Sequence, residues 1–253
     1  MALLEARGLF KQFGRRRVVD GVDFTVNAGE VVGLLGSNGA GKTTSFRMVT
    51  GLIKPNAGQV LLAGADVTYW PMYRRARLGM GYLSQETSVF RKLTVEQNLL
   101  AILETIPVPA GESANRYRHA IAIDLLKQFG LEHLKNNKAM SLSGGERRRL
   151  EIARCLVTDP ALILLDEPFT GIDPKTIADI QDIVRALRDG GIGILLTDHN
   201  VAETLRITDR TYVIWQGKVI AHGSPEEIVR DEQVIQVYLG RNFAMNSDAG
   251  RAA

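Results

Sequence analysis

The sequence predicts an α/β fold in which a mainly parallel sheet is interrupted by a helical insertion. Three observations predict it. The runs Val31-Val32-Gly33-Leu34-Leu35, Leu162 to Leu165 and Ile192 to Leu196 are apolar throughout, as strands buried on both faces would be. Segments of helical spacing alternate with them, at Lys42 to Gly51 and Ile177 to Leu187. From about Thr94 to Thr158 the texture is helical instead, with Val95, Leu99, Leu100 and Leu103 recurring on one face and Ile121, Leu125, Leu126 and Phe129 on another.

In chain order, Leu3 to Phe10, Val18 to Val26 and Glu30 to Leu35 read as strands broken by Gly14, Gly21 and Asn27-Ala28-Gly29. Gln59 to Ala63 and Met80 to Leu83 are further strand candidates. Pro107, Pro109 and Gly111 mark a loop inside the helical lobe. Tyr212 to Trp215 and Lys218 to Ala221, turning at Gln216-Gly217, read as a hairpin. The small, polar tail from Ala244 onward is expected to fray.

With 253 residues the chain is long enough for one large domain with inserted lobes. Lys plus Arg number 31 against 28 Asp plus Glu, a formal charge of +3, too small an excess for a nucleic-acid protein. The single cysteine, Cys155, excludes an intrachain disulfide and suits a reducing compartment. The longest apolar run, even counting glycine, is Gly190 to Leu196, far short of a bilayer span. The first residues lack a basic leader followed by an apolar segment, so the expected home is the cytosol or a cytosolic membrane face.

Gly36-Ser37-Asn38-Gly39-Ala40-Gly41-Lys42-Thr43 fits the P-loop pattern between a strand and a helix. Its glycines let backbone N–H groups turn inward as an anion nest, to which the helix N-terminus adds partial positive charge. Lys42 supplies a point charge for the β and γ phosphates, the Thr43 hydroxyl a ligand for Mg²⁺, and Thr44 completes the set. Such a cradle needs a metal partner and a means of activating water. Asp166 and Glu167, at the end of a buried strand, are the candidates for those two tasks. Another strand ends at Thr197-Asp198-His199, which makes His199 a candidate γ-phosphate sensor, and Gln85 is a candidate contact to metal and water.

Leu142-Ser143-Gly144-Gly145-Glu146 opens a helix and forms a second anion-binding N-terminus, with no strand before it. With this motif in place, the chain resembles the nucleotide-binding subunits of ABC transporters over essentially residues 3–240. The P-loop, Gln85, the signature Leu-Ser-Gly-Gly-Glu, Asp166-Glu167, Gly171-Ile172-Asp173 and His199 stand in that family's order. The resemblance implies a P-loop NTPase core in residues 1–240, with an antiparallel β subdomain and a helical subdomain at about 86–158, followed by a flexible tail, 241–253. It also implies ATP and Mg²⁺ as cofactors and a head-to-tail homodimer, each ATP lying between the P-loop of one subunit and Ser143, Gly144, Gly145 and Glu146 of the other. Phe13 resembles the aromatic that stacks on adenine, with a buried strand residue as the other reading, and Asp173 resembles the residue that links the two sites.

A narrower resemblance, carried by Ser143 to Arg149, Phe90-Arg91, Thr197 to Asn200 and Val237 to Gly240, is to the ATPases of lipopolysaccharide export. Ser37 and Ser84 stand where those ATPases often have proline. ATPases of branched-chain amino-acid import share the general pattern but commonly carry Gln at the Glu146 position. The resemblance further implies integral membrane permease partners docking in a groove near Gln85, with Phe90 an apolar anchor and Arg91 a rim charge; a core role for Phe90 is the alternative. It places the protein peripherally on the cytoplasmic face of the inner membrane.

Three basic runs remain. Arg15-Arg16-Arg17 is expected to reach phosphate or ribose, Arg147-Arg148-Arg149 to face the partner subunit, and Arg74-Arg75 with Arg77 to be solvated surface charge. DNA maintenance or translation work, which cassettes of this type also serve, usually comes with tandem cassettes or a long coiled coil, and neither is visible. A non-hydrolysing regulatory cassette would be expected to lack Glu167, Lys42 or His199, and all three are present.

Overall fold

A computed structural model describes residues 2–240, so the expected frayed tail, 241–253, lies outside the described residues. Strands β1 (Leu4–Phe13) and β2 (Arg16–Val26) pair antiparallel, β3 (Val31–Gly36) follows, and α1 (Lys42–Thr50) springs from the glycine-rich turn. Then come β4 (Ala57–Leu62), β5 (Ala65–Asp66), α2 (Met72–Arg77) and β6 (Met80–Leu83). The helical region holds α3 (Val95–Leu103), α4 (Ala114–Gln128) and α5 (Gly144–Leu156). After it the chain alternates β7 (Leu162–Asp166), α6 (Pro174–Asp189), β8 (Gly193–Thr197) and α7 (Val201–Leu205). It closes with β9 (Arg210–Trp215), β10 (Lys218–Gly223), α8 (Pro225–Arg230), α9 (Glu232–Val234) and a π turn at Ile235–Leu239.

The strands form two sheets: an antiparallel one, ordered β2-β1-β4-β5, and a six-stranded one, ordered β10-β9-β3-β8-β7-β6, parallel except for β10. The apolar runs are buried on both faces, as read from the sequence. Val31, Ile163, Leu165, Ile194 and Leu196 point into a core shared with α3 to α6. Their neighbours Val32, Leu34, Leu162, Leu164 and Leu195 point into a second core with α1 and the antiparallel sheet. Period-two alternation thus splits one apolar run between two cores. The turn of the predicted hairpin has positive φ at both Gln216 and Gly217, as a right-twisted two-residue turn demands.

The expectation that Arg74, Arg75 and Arg77 form one solvated patch is corrected at its centre, because Arg75 is only 1% exposed. Its guanidinium donates to the carbonyls of Met48 and Val49 in the last turn of α1, and to those of Thr68 and Trp70. Burial brings it down to about 10, opposed by the Asp66 carboxylate. Arg75 therefore ties the C-terminal end of α1 to the segment that follows β5, reaching the Val49 carbonyl, one of those a helix C-terminus leaves free, and that of Met48, which also accepts from Gly51 N. Arg75→Met takes the donor from the Val49, Thr68 and Trp70 carbonyls, and the expected loss is about 3 kcal/mol or more. Thermal unfolding followed by circular dichroism checks it; an unchanged midpoint would show the four bonds to be expendable.

Candidate active site

In a parallel sheet the carboxyl ends of the strands share one edge, and here four of them deliver the predicted residues. β3 ends in Gly36, β7 ends in Asp166 with Glu167 just after it, β8 is followed by Asp198-His199 and β6 by Ser84-Gln85. Gly36 has φ 147°, and a Cβ there would collide with the Ile214 carbonyl, so the loop can leave the sheet only as glycine. Ser37 is half-buried, Asn38 and Gly39 are exposed, and Ala40, Gly41 and Lys42 are buried. The Lys42 ammonium folds back over the loop, donating to the carbonyls of Gly36 (2.5 Å) and Ser37 (3.0 Å). Burial lowers its pKa, while the Glu167 and Asp198 carboxylates oppose that shift. Thr43 is exposed and Thr44 half-buried at the start of α1. Within the first basic run, Arg16 brings its guanidinium beside Gly39 at the loop's tip.

Glu167 sits at φ 49°, a left-handed conformation that costs a side-chain-bearing residue energy and concentrates at functional sites. Its N–H donates to the Thr197 carbonyl at 2.7 Å, which fixes the turn. One carboxylate oxygen, Oε2, accepts from Gln85 Nε2 (2.7 Å) and from the Thr170 hydroxyl (3.1 Å), with His199 Nδ1 3.7 Å away. The structure thus brings Glu167, Gln85 and His199 together around one oxygen. The exposed His199 ring also lies 3.5 Å from Asp198 and 3.4 Å from Thr170.

Asp198 is a site residue whose part the sequence reading missed. It is 1% exposed, and its two oxygens accept from the Phe169 and Asn200 N–H groups, both at 2.9 Å, so it fixes the chain on either side of the Glu167-His199 pair. Burial raises its pKa against those two bonds. Its position beside His199 at a strand end was the available signal. The Tyr238 hydroxyl is buried without a hydrogen-bond partner, and burial pushes the phenol up to about 12.

Asp166 is almost fully buried, and burial together with the neighbouring Glu167 raises its pKa. The Tyr82 hydroxyl, pushed up to about 12 by burial and by Asp166, donates to it across 3.4 Å. A buried carboxylate beside a second one, with only this long bond, has a donor set that suits a hard divalent cation. Asp166 therefore has the chemistry of a Mg²⁺ ligand, and Gln85 lines the same groove. That groove, of about 470 Å³, is also lined by Arg47, Leu52, Ile53, Tyr82 and Glu86.

The second cradle is built by a reciprocal cap. Ser143 Oγ accepts from Glu146 N (3.3 Å), and Glu146 returns a carboxylate oxygen to Ser143 N (2.8 Å), which holds the Glu146 pKa down. Ser143 and Gly144 are exposed. A Cβ on Gly145 would meet the Thr176 side chain at 2.8 Å, so only glycine lets α5 close onto α6. Asp173 caps that facing helix, with its oxygens accepting from Thr176 N (3.0 Å) and Oγ1 (2.6 Å), bonds that lower its pKa. The sequence reading of Arg147-Arg148-Arg149 is corrected at its centre. Arg148 turns inward, 8% exposed, into an ion pair with Glu151, and Arg147 closes onto the Leu142 carbonyl.

The two aromatic alternatives also separate. Phe13 is 49% exposed at the end of β1, with the Lys11 ammonium 5.2 Å from its ring, and does not pack in a strand core. Phe90 is 44% exposed, so it does not serve the helical core.

A phosphate loop on a parallel sheet and a carboxylate pair at the end of β7, two strands away, whose glutamate is oriented by neighbouring side chains, define a P-loop nucleoside triphosphatase. The ABC transporter family matches residues 19–170, and a branched-chain amino-acid ATP-binding cassette family matches residues 218–244. An uncharacterised ABC transporter ATP-binding protein of Rhizobium meliloti is 55% identical over 96% of this chain and 88% of its own length. The lipopolysaccharide export system ATP-binding protein LptB of Escherichia coli is 50% identical over 97% of this chain and 100% of its own. Among solved structures, the ADP conformation of an ATP-binding cassette of an ABC transporter superposes with a TM-score of 0.84 at 31% identity, covering 95% of this chain and all of that one. The chain belongs to the ATP-binding subunits of ABC transporters, and its reaction is ATP hydrolysis.

Proposed function

We propose that this subunit drives lipopolysaccharide export as a head-to-tail dimer, docked to integral membrane partners at the cytoplasmic face of the inner membrane. The observation that carries the reading is full-length identity of 50% to the Escherichia coli export ATPase. Phe90-Arg91 and Ser143 to Arg149 agree with it in the sequence. Among the described residues no helix is long and apolar enough to cross a membrane, so the subunit's work on a membrane cargo needs a partner. A second reading, branched-chain amino-acid import, rests on the match at residues 218–244.

In this reading residues 1–240 act as one ATPase domain, with residues at about 86–158 as its inserted helical subdomain. Lys42 and the loop amides from Gly36 to Thr44 bind the phosphates, and the exposed Phe13 stacks on adenine. Magnesium, held by Thr43, Asp166 and Gln85, would neutralise charge developing on the phosphates. Glu167 takes the proton of the attacking water while Gln85, Thr170 and His199 orient its carboxylate. Ser143 to Glu146 contact the ATP of the other subunit, and Asp173 joins the two sites. No nucleic-acid partner is expected.

Cells depleted of the Escherichia coli protein test the cargo directly: expression of this chain restores lipopolysaccharide export. Failure of export while the chain is expressed and hydrolyses ATP, together with co-purification of an amino-acid permease, would favour the second reading. Phe90→Ala is expected to weaken co-purification of the membrane partner more than ATPase activity of the free subunit. Unimpaired assembly would remove Phe90 from the docking surface.

A further inference from the structure

Three side chains along one face of α5, Arg148, Glu151 and Arg154, turn toward the loop that leaves β6. Arg148 Nη1 donates to the Ser84 carbonyl and to Glu151 Oε2, each at 3.1 Å. Glu151 Oε1 accepts from Ser88 N at 2.7 Å. Arg154 Nη1 donates to the Ser88 carbonyl at 2.6 Å and rests its guanidinium 4.6 Å from the Phe90 ring centre. The loop is therefore gripped by its main chain at both ends. Between the grips Gln85, Glu86 and Thr87 are exposed, and Gln85 reaches Glu167.

Stability alone accounts poorly for this arrangement. A buried ion pair rarely outperforms apolar residues of similar volume. The Arg148–Glu151 side chains are 9% and 5% exposed, and Arg148 Nε and Nη2 and Arg154 Nε are buried with no hydrogen-bond partner. Unmet buried donors are costly, whereas the donors and acceptors that are met all fall on Ser84 and Ser88, or on each other. What the pair secures is the path of the loop.

We infer that Arg148 and Glu151 are positioning residues that set Gln85, and through it Glu167, from the helix whose first turn is the second phosphate cradle. The cradle offered to one ATP would then be linked, through this loop, to the hydrolytic carboxylate serving the other within each subunit. The inference rests on the assignment of Gln85 and Glu167 to hydrolysis, and the test separates the two.

Because Glu151→Ala would leave Arg148 buried and alone, the main variant is R148M/E151M, which keeps apolar volume and removes both charges. Its kcat is expected to fall about tenfold with KM for ATP unchanged, since the phosphate loop is untouched. Amide exchange at Ser88 should accelerate, and R148K, which keeps a charge beside Glu151 and a donor for the Ser84 carbonyl, should lose much less than the pair variant. Adding Q85A to the pair variant should cost nothing beyond Q85A alone, because both act through one contact. Losses that multiply, or a pair variant with wild-type kcat and slow exchange at Ser88, would overturn the clamp while Q85A remained impaired. A Q85A protein with wild-type kcat would instead remove the Gln85 assignment and the inference with it.

Discussion

Glu167→Gln abolishes steady-state ATP hydrolysis, by about 10²- to 10⁴-fold, while nucleotide binding persists and a nucleotide-bound dimer accumulates. The substitution isolates basicity from shape. Glutamine has the same length, and its amide oxygen can still accept from the Gln85 amide and the Thr170 hydroxyl, the bonds that now converge on Oε2. The main-chain bond from residue 167 to the Thr197 carbonyl involves no side chain, so the strained turn is kept. Only the capacity to take a proton is lost. Turnover by malachite-green assay, nucleotide affinity by a fluorescent analogue and dimer content by size exclusion give three separate readings. Near-normal hydrolysis would show that the base lies elsewhere, and lost affinity would show that residue 167 holds the loop together.

The surroundings of Glu167 explain why this effect should exceed that of any other single change on the hydrolytic side. Gln85, His199 and Thr170 come from different loops, yet all meet the same carboxylate. Removing one of them loosens an orientation; removing the carboxylate's basicity leaves the rest with nothing to orient. Asp198 acts a step further back, holding Phe169 and Asn200 by their main chains.

The strand ends carrying these groups were legible because burial on both faces leaves an unbroken apolar run, and the residue after each run must then lie at the sheet's edge. The glycine loop was legible for a similar reason, since few other sequences turn a strand so sharply into a helix. Arg75 and Arg148 were not legible. Each belongs to an arginine run read as lying at the surface, one as solvated charge and the other as facing the partner subunit, and their burial depends on carbonyls at Met48, Val49 and Ser84, which the fold brings near from elsewhere. Short helices were lost for want of length: α2 and α7 hold six and five residues, too few for a 3.6-residue period to show. α8 could have been found, because Ser224 and Glu227 form the same reciprocal cap as Ser143 and Glu146, with Pro225 at the first helical position.

Ser143→Arg is expected to block hydrolysis, with a loss of about 10²-fold, and to leave ATP affinity of the isolated subunit unchanged. The second part follows from geometry. Ser143 is exposed, and its bonds stay within its own capping box, so an arginine there extends into solvent and costs only the cap, about 1 kcal/mol. The first part follows if that helix start is meant for an anion carried by another subunit, since the arginine then fills the place of the phosphate. Mixing separates action in trans from action in cis. A K42A subunit spoils its own phosphate loop, and an S143R subunit spoils the site on its neighbour. A mixed dimer therefore retains one site built from an intact loop and an intact signature, whereas both homodimers have none. Activity that reappears only on mixing two inactive proteins places Ser143 in trans; a mixture as inactive as its components would place loop and signature at one site within a single chain, and the head-to-tail dimer would have to be abandoned.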